Sequence, residues 1–160
     1  MRDDDFERLY AAEAQGLFGF LAYRTGDRVL AEDLLADTFE RALRSRRRFD
    51  RRRGSAKTWL YAIALNLLRD HARRAAAEGR AIERVGPGPT STAAAEGAVE
   101  DRDVVQRALA GLSAEEREAI ALRFGAELTV PEIAEALREP LTTVEGRVYR
   151  ALRKLRAELD

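Results

Sequence analysis

Residues 128–159, LTVPEIAEALREPLTTVEGRVYRALRKLRAEL, decide how this chain is read. Thr129-Val130-Pro131-Glu132 has the Ser/Thr-x-x-Glu form of a capping box, in which hydroxyl and carboxylate satisfy each other's backbone N–H groups. It predicts a helix from about Val130 to Leu137. Arg138-Glu139-Pro140 breaks the pattern, because a residue before proline is pushed out of helical conformation. Thr142-Thr143-Val144-Glu145 repeats the capping signature and predicts a second helix. On it, Val144, Val148, Ala151, Leu152, Leu155 and Leu159 share one side at helical spacing. Thr143, Arg147, Arg150 and Lys154 lie on a neighbouring side, roughly 120° around at about 100° per residue. A helix anchored by one stripe and offering Thr and Arg on another suits a reader of the DNA major groove. The segment reads as a helix-turn-helix.

Composition frames the rest. With 46% hydrophobic and 35% charged residues over 160 positions, the chain has the make-up of a globular protein of one domain or two small ones. Ala, Leu, Arg and Glu dominate and strand-like alternation is scarce, which points to an all-α fold. No apolar run approaches the ~20 residues a bilayer span needs, and MRDDDFERLY is not patterned as a signal peptide. No membrane insertion is expected. Cysteine is absent, which excludes disulfides and thiolate metal sites and makes the cytoplasm the expected compartment. A single histidine, His71, cannot build a zinc site. No metal and no cofactor are expected.

Formal net charge is zero, yet the charge is unevenly placed. Between Arg41 and Arg74, twelve basic residues stand against Asp50 and Asp70. Local stripes set phosphate attraction, because charges are screened over roughly 8–10 Å. The bland alternative, a solvated helix face, stays open for the arginine run alone. Helices are expected from Phe6 to about Arg24, from Arg28 to about Arg48 and from Lys57 to about Ala77. The first ends at Thr25-Gly26-Asp27, a left-handed stop followed by a helix N-cap. The second sets Ala31, Leu35, Phe39, Ala42 and Leu43 on one side and Asp33, Asp37 and Glu40 on the other. The third follows the basic, glycine-containing loop Asp50 to Ser55. Trp59, Tyr61, Asn66, Arg69, Arg73 and Arg74 mix aromatic rings, an amide and cations, as a single-stranded DNA surface does. A purely structural place in the core remains the alternative for Trp59. Residues 79–103 lose periodicity and, with VGPGPTSTAAAEG, read as a flexible linker. Two small helical domains are therefore expected, at 1–78 and 104–160, the second opening with helices from Val104 to Ala110 and from Ser113 to Phe124, the latter with a Ser-x-x-Glu capping box at Ser113 and Glu116.

Together these segments resemble bacterial RNA polymerase sigma factors of the extracytoplasmic-function group. GDRVLAEDLLADTFERAL is similar to the family's polymerase-binding helix and FDRRRGSAKTWLYAIALNLLRDHARR to its −10 recognition and melting segment. LSAEEREAIALRFGAELTVPEIAEALREPLTTVEGRVYRALRKLR is similar to its −35-binding domain. The resemblance implies that Asp33, Asp37, Thr38 and Glu40 face the clamp helices of the polymerase's largest subunit. It implies that Arg53, Lys57, Trp59 and Asn66 handle unstacked −10 bases, with Arg69, Arg73 and Arg74 on phosphate. Thr143, Gly146, Arg147, Arg150 and Lys154 would serve the −35 element. It also implies core RNA polymerase and promoter DNA as partners, an anti-sigma factor as inhibitor, and no catalytic residue in this chain. Four positions depart from the family pattern: Ala36 stands where Gln is usual, Arg138 where Gly is common in the turn, and Glu145-Gly146 where Lys-Ser is common.

Functions of other classes fit these residues less well. An enzyme would need clustered carboxylates, a nucleophile beside its base, or a phosphate loop; GSAKT lacks that loop's spacing and His71 has no evident nucleophile partner. A helix-turn-helix regulator with a sensory or dimerising N-terminal half has no need of an arginine-rich loop leading into Trp59-Leu60-Tyr61.

Overall fold

The computed structural model describes residues 1–79 and 99–159. Most of the linker expected at 79–103 lies outside the described residues, which hold helices and no strand. The N-terminal half is built from α1 (Asp3–Thr25), α2 (Arg28–Arg44) and α3 (Ala56–Ala77). The C-terminal half comprises α4 (Val99–Ala110), α5 (Ala114–Ile120), α6 (Val130–Leu137) and α7 (Leu141–Leu159).

Local chemistry explains most boundaries. Asp3, Asp4 and Asp5 crowd the first turn of α1, where negative charge complements the helix dipole; the helix therefore starts ahead of Phe6. Gly26, at φ 68°, ends it by donating its N–H to the Ala22 carbonyl at 2.9 Å. The Asp27 carboxylate then accepts from the Val29 and Leu30 N–H groups at 3.0 and 3.1 Å and opens α2. The second helix stops at Arg44, and a short 3-10 turn at Arg46–Arg48 replaces the last turn expected of it. Ser55 caps α3 by accepting from Thr58 N–H at 3.1 Å. In the C-terminal half, α4 begins at Val99 rather than Val104, and α5 runs on through one π-helical turn at Ala121–Gly125. Capping boxes form at Ser113–Glu116 and Thr129–Glu132. The third does not. Helix α7 is already under way at Leu141, with the Pro140 carbonyl accepting from Thr143 and Val144 N–H at 3.1 and 3.3 Å. Thr142 therefore lies inside the helix instead of capping it.

Leu17, Leu21, Leu60 and Leu65 are fully or almost fully buried in the first half, as are Leu122, Leu128, Ile133 and Val144 in the second. Tyr61, grouped above with the nucleic-acid residues, belongs to this core: it is 1% exposed and its ring lies 6.0 Å from that of Phe20. Burial, and secondarily Glu13, pushes its phenol pKa well up. Leu43, expected to be buried, is exposed. The buried residues form one continuous set that spans both halves. Polar contacts cross between them as well. Arg24 Nε lies 2.9 Å from Glu118 Oε2, Thr58 Oγ1 donates to Glu132 Oε2 at 3.0 Å, and Arg69 Nη1 reaches the Leu137 carbonyl at 3.4 Å. Domains this small bury a modest share of their surface alone, and here α6 packs on α3. The loose tethering expected from the linker gives way to a closed pair.

Candidate nucleic-acid and polymerase surfaces

Helix α7 presents the basic face read from its sequence. Thr143, Arg150 and Lys154 are exposed. Arg147 is less free, its side chain only 18% exposed and ion-paired with Glu139. Glu116 gathers the other two cations: Lys154 Nζ lies 2.8 Å from its Oε1 and Arg150 Nε 3.7 Å from its Oε2. Burial opposes the Glu116 charge, but hydrogen bonds from Lys154 and from the Ser113 N–H outweigh it and hold its pKa below the ordinary value. Gly146 makes room on this face, for a Cβ there would stand 3.0 Å from Arg150 Nη1. The turn before α7 carries Arg138 in left-handed conformation at φ 56°, the position where glycine is free of the cost a side chain incurs.

The second group gathers at the head of α3. Asp50 shapes the basic loop, accepting from Arg52 N–H at 2.9 Å and Arg53 N–H at 3.0 Å. Behind the loop lies a cavity of 420 Å³ whose walls include Phe49, Arg53, Ser55, Thr58 and Trp59. Trp59 is half-buried with its ring 5.1 Å from that of Phe49. It is neither a sealed core residue nor a free one. Asn66 is also half-buried, two turns along from Trp59 and on the same side. Arg74 is exposed, Arg73 is paired with Asp70, and Arg69 Nη2 stands 3.9 Å from Glu139 Oε1. Lys57 is not brought to this cavity. Its ammonium lies 4.0 Å from Glu13 Oε1 on α1, because position 57 falls on the side of α3 that packs on α1.

On α2, Asp33, Asp37 and Glu40 are exposed as expected, Glu40 paired with Arg44 at 2.5 Å. Thr38 is not on that surface. It is fully buried and its hydroxyl donates to the Leu34 carbonyl at 2.6 Å, since position 38 lies one turn from the core residues Leu34 and Ala42. The carboxylates are flanked by exposed apolar side chains, Val29 at 71% and Leu43 at 42%. Sequence reasoning missed Glu116, Glu132 and Glu139 as partners of the cations and of Thr58. For Glu116 and Glu132 the capping-box spacing marked the residue but not its second contact. Among the described residues no group of three or more His, Cys, Asp or Glu side chains could hold a metal, and no helix is long and apolar enough to cross a membrane.

Comparison with known proteins matches the two halves separately and the chain as a whole. The Sigma-70 region 2 family matches residues 9–78, and the Sigma-70, region 4 family matches residues 102–155. The chain is 30% identical to the ECF RNA polymerase sigma factor SigX of Bacillus subtilis, over 99% of its own length and 85% of that protein. It is 32% identical to SigC of Mycobacterium tuberculosis, covering 96% of this chain and 83% of that one. With BldN of Streptomyces coelicolor the identity is 30% over 95% of this chain, which spans only 59% of that relative. Among solved structures, the sigma factor RpoE of Bartonella quintana, in complex with the anti-sigma factor NepR, superposes with a TM-score of 0.73. The two are 27% identical, over 97% of this chain and 96% of that one. CnrH in complex with the cytosolic domain of CnrY gives a TM-score of 0.69 at 26% identity, over 99% and 90% of the two chains. The region 2 match occupies the half that a regulator would need as its sensory module, so that alternative is not favoured. With a region 2 half, a region 4 half and full-length relatives of one kind, the chain belongs to the ECF family of RNA polymerase sigma factors, the subunits that direct the polymerase to promoters.

Proposed function

We propose how the parts of this chain divide that work. The region of residues 1–78 binds core RNA polymerase through the exposed stripe of α2, with Asp33, Asp37 and Glu40 between Val29 and Leu43, against the clamp helices of the largest subunit. The same region holds unpaired −10 bases in the cavity beside Phe49 and Trp59, with Arg53, Arg69, Arg73 and Arg74 on the backbone. The region of residues 104–160 lays α7 in the −35 major groove, where Thr143, Arg147 and Arg150 meet base edges and Lys154 meets phosphate. Residues 79–103 serve as the linker between the two elements. The chain works in the cytoplasm, where the polymerase performs all the covalent chemistry and this protein needs no cofactor of its own.

The observation that carries this reading is the aromatic cavity at the head of α3. It is 420 Å³ in volume, lies beside a loop of three consecutive arginines, Arg51 to Arg53, and has Trp59 only half-buried in its wall. A flipped base leaves its stack at a cost of a few kcal/mol, and stacking on an aromatic ring returns about 1–3 kcal/mol. Trp59→Ala should therefore impair promoter opening while leaving association of the holoenzyme with closed duplex nearly unchanged. Holoenzyme binding to duplex and a fluorescent base analogue at the −10 element measure the two separately. Equal loss in both would demote Trp59 to a core residue.

An inhibitor completes the proposal. RpoE and CnrH, whose shapes match this chain across both halves, were each solved with a partner, and NepR is named as an anti-sigma factor. An overlay that extends over both halves at once supports the closed arrangement described above as the form an anti-sigma factor would hold.

A further inference from the structure

Between α1 and the C-terminal half lies another cavity, of 560 Å³, whose walls include Gly16, Gly19, Phe20, Tyr23, Arg117 and Phe124. It shares no lining residue with the Trp59 cavity, the α2 stripe or the basic face of α7. Positions 16, 19, 20 and 23 fall on one face of α1, and two of the four are glycine, which a helix interior disfavours. Packing within the chain does not call for them. A Cβ at Gly19 would meet nothing within 4 Å, and one at Gly16 only the Tyr61 hydroxyl, at 3.9 Å. The glycines leave α1 bare where it borders the cavity. Across from them, the π-helical turn Ala121–Gly125 contributes Ala121, Phe124 and Gly125; single turns of this kind recur at functional sites. Phe124 is 53% exposed there, forgoing the large gain that burial of an aromatic ring brings. Among the lining residues Arg117 alone is charged. Its Nη1 donates to the Leu109 carbonyl at 3.4 Å, while its Nε is buried and has no hydrogen-bond partner among the described residues. A buried donor without an acceptor is rare and unfavourable.

We propose that this cavity binds a small amphipathic acid, a molecule with an apolar body and a single carboxylate. The body lies against Phe20, Phe124 and the bare face of α1, and the carboxylate accepts from Arg117 Nε. With Nη1 engaged by Leu109, the edge of the guanidinium left for a ligand is the one that Nε shares with Nη2. That edge presents two parallel N–H groups, a match for the two oxygens of a carboxylate. A mostly apolar wall with few polar groups, at this volume, is the ordinary make-up of a small-molecule site. A multiply charged occupant fits poorly, because one cation in an apolar wall cannot offset the desolvation of several charges. Tyr23, half-buried and lining the same cavity, adds a neutral hydroxyl: burial pushes its pKa up, against a smaller opposite pull from Arg117. Since the walls come from both halves of the chain, an occupant stabilises their pairing by mass action without touching either surface proposed for DNA.

Titration of the full-length chain with naphthoate, and with naphthalenemethanol as its neutral counterpart, tests the site. Calorimetry measures both affinities, and thermal melts follow the fold. Naphthoate should bind the native chain saturably at one site, about tenfold more tightly than the alcohol. Gly19→Leu grows a side chain into open space on α1, where leucine is also the better helix former. It should raise the thermal midpoint and abolish binding of both probes. Arg117→Gln should weaken the acid about tenfold, to the level of the alcohol, and leave the alcohol as it was. Arg107→Gln, at an exposed position of α4 outside the cavity, is the control and should change neither. Absence of saturable naphthoate binding to the native chain overturns the proposal, and so does binding that survives Gly19→Leu. A preference for the acid retained in Arg117→Gln, or an equal loss of both probes there, overturns the assignment of Arg117 to the carboxylate.

Discussion

Gly146 lies on α7 where a Cβ would come within 3.0 Å of Arg150 Nη1. The atom it would meet is the far end of a long side chain, so the guanidinium can move aside at little cost. Gly146→Ala should then raise the thermal midpoint, since alanine is favoured over glycine in a helix interior by up to about 1 kcal/mol. The displaced Arg150 should at the same time change base preference at the −35 element, where a well-placed arginine discriminates by about 1–3 kcal/mol. Thermal melts and binding across a −35 sequence library check the two effects; a stabilised protein with unaltered preference would show that Arg150 reads no base. At this scale the sequence was legible in part. The exposed cations of α7 followed from helical spacing alone. The burial of Thr38 and Tyr61 did not, because a hydroxyl bonded to its own helix and a phenol inside a core look, in a sequence, like polar surface groups. Nor did the pull of Glu13 on Lys57, a contact across 44 positions.

Helices α5 and α7 are joined by a buried carboxylate. Glu116 closes the Ser113 capping box and also receives Lys154 at 2.8 Å, so one side chain fixes a helix start and tethers the recognition helix. Its pKa in the folded chain is held below the ordinary value of 4.5, burial being outweighed by hydrogen bonds from Lys154 and Ser113. A carboxylate lowered in the folded state contributes stability above the unfolded value, and that contribution is lost as pH falls through the lower folded one. Glu132, lowered chiefly by its bond from the Thr129 N–H and also by Thr58 and Ser55, acts with the same sign on α6. Denaturant midpoints followed downward from pH 6 should fall once the pH drops below about 4.5, and Glu116→Gln should flatten that fall. An unchanged acid slope in the variant would remove Glu116 from the tether. Two of the three capping boxes were readable because the motif itself supplies both partners. The third failed at Thr142 because the Pro140 carbonyl provides an earlier start, and a backbone acceptor leaves no sequence signature.

The relation between the halves is the feature farthest from the sequence. Composition shows a linker rich in Pro, Gly and Ala and suggests independence, whereas the closed pair depends on contacts such as Thr58 with Glu132, 74 positions apart, which no periodicity announces. Helical class, two halves and the placement of cations were all within reach of pattern reasoning, because each follows from neighbours within a turn or two. Closure was not, because it is a match between two surfaces. At the scale of the whole molecule the chain is a reader of two DNA elements that acts through a larger enzyme, and its closed form covers part of each surface proposed to read them. Transcription from a promoter library by purified core RNA polymerase, with and without this chain, tests that claim most directly. Added chain should join the core and start transcripts at a restricted set of promoters sharing paired −35 and −10 elements. A chain that failed to associate with the core, or associated without selecting any promoter, would contradict it.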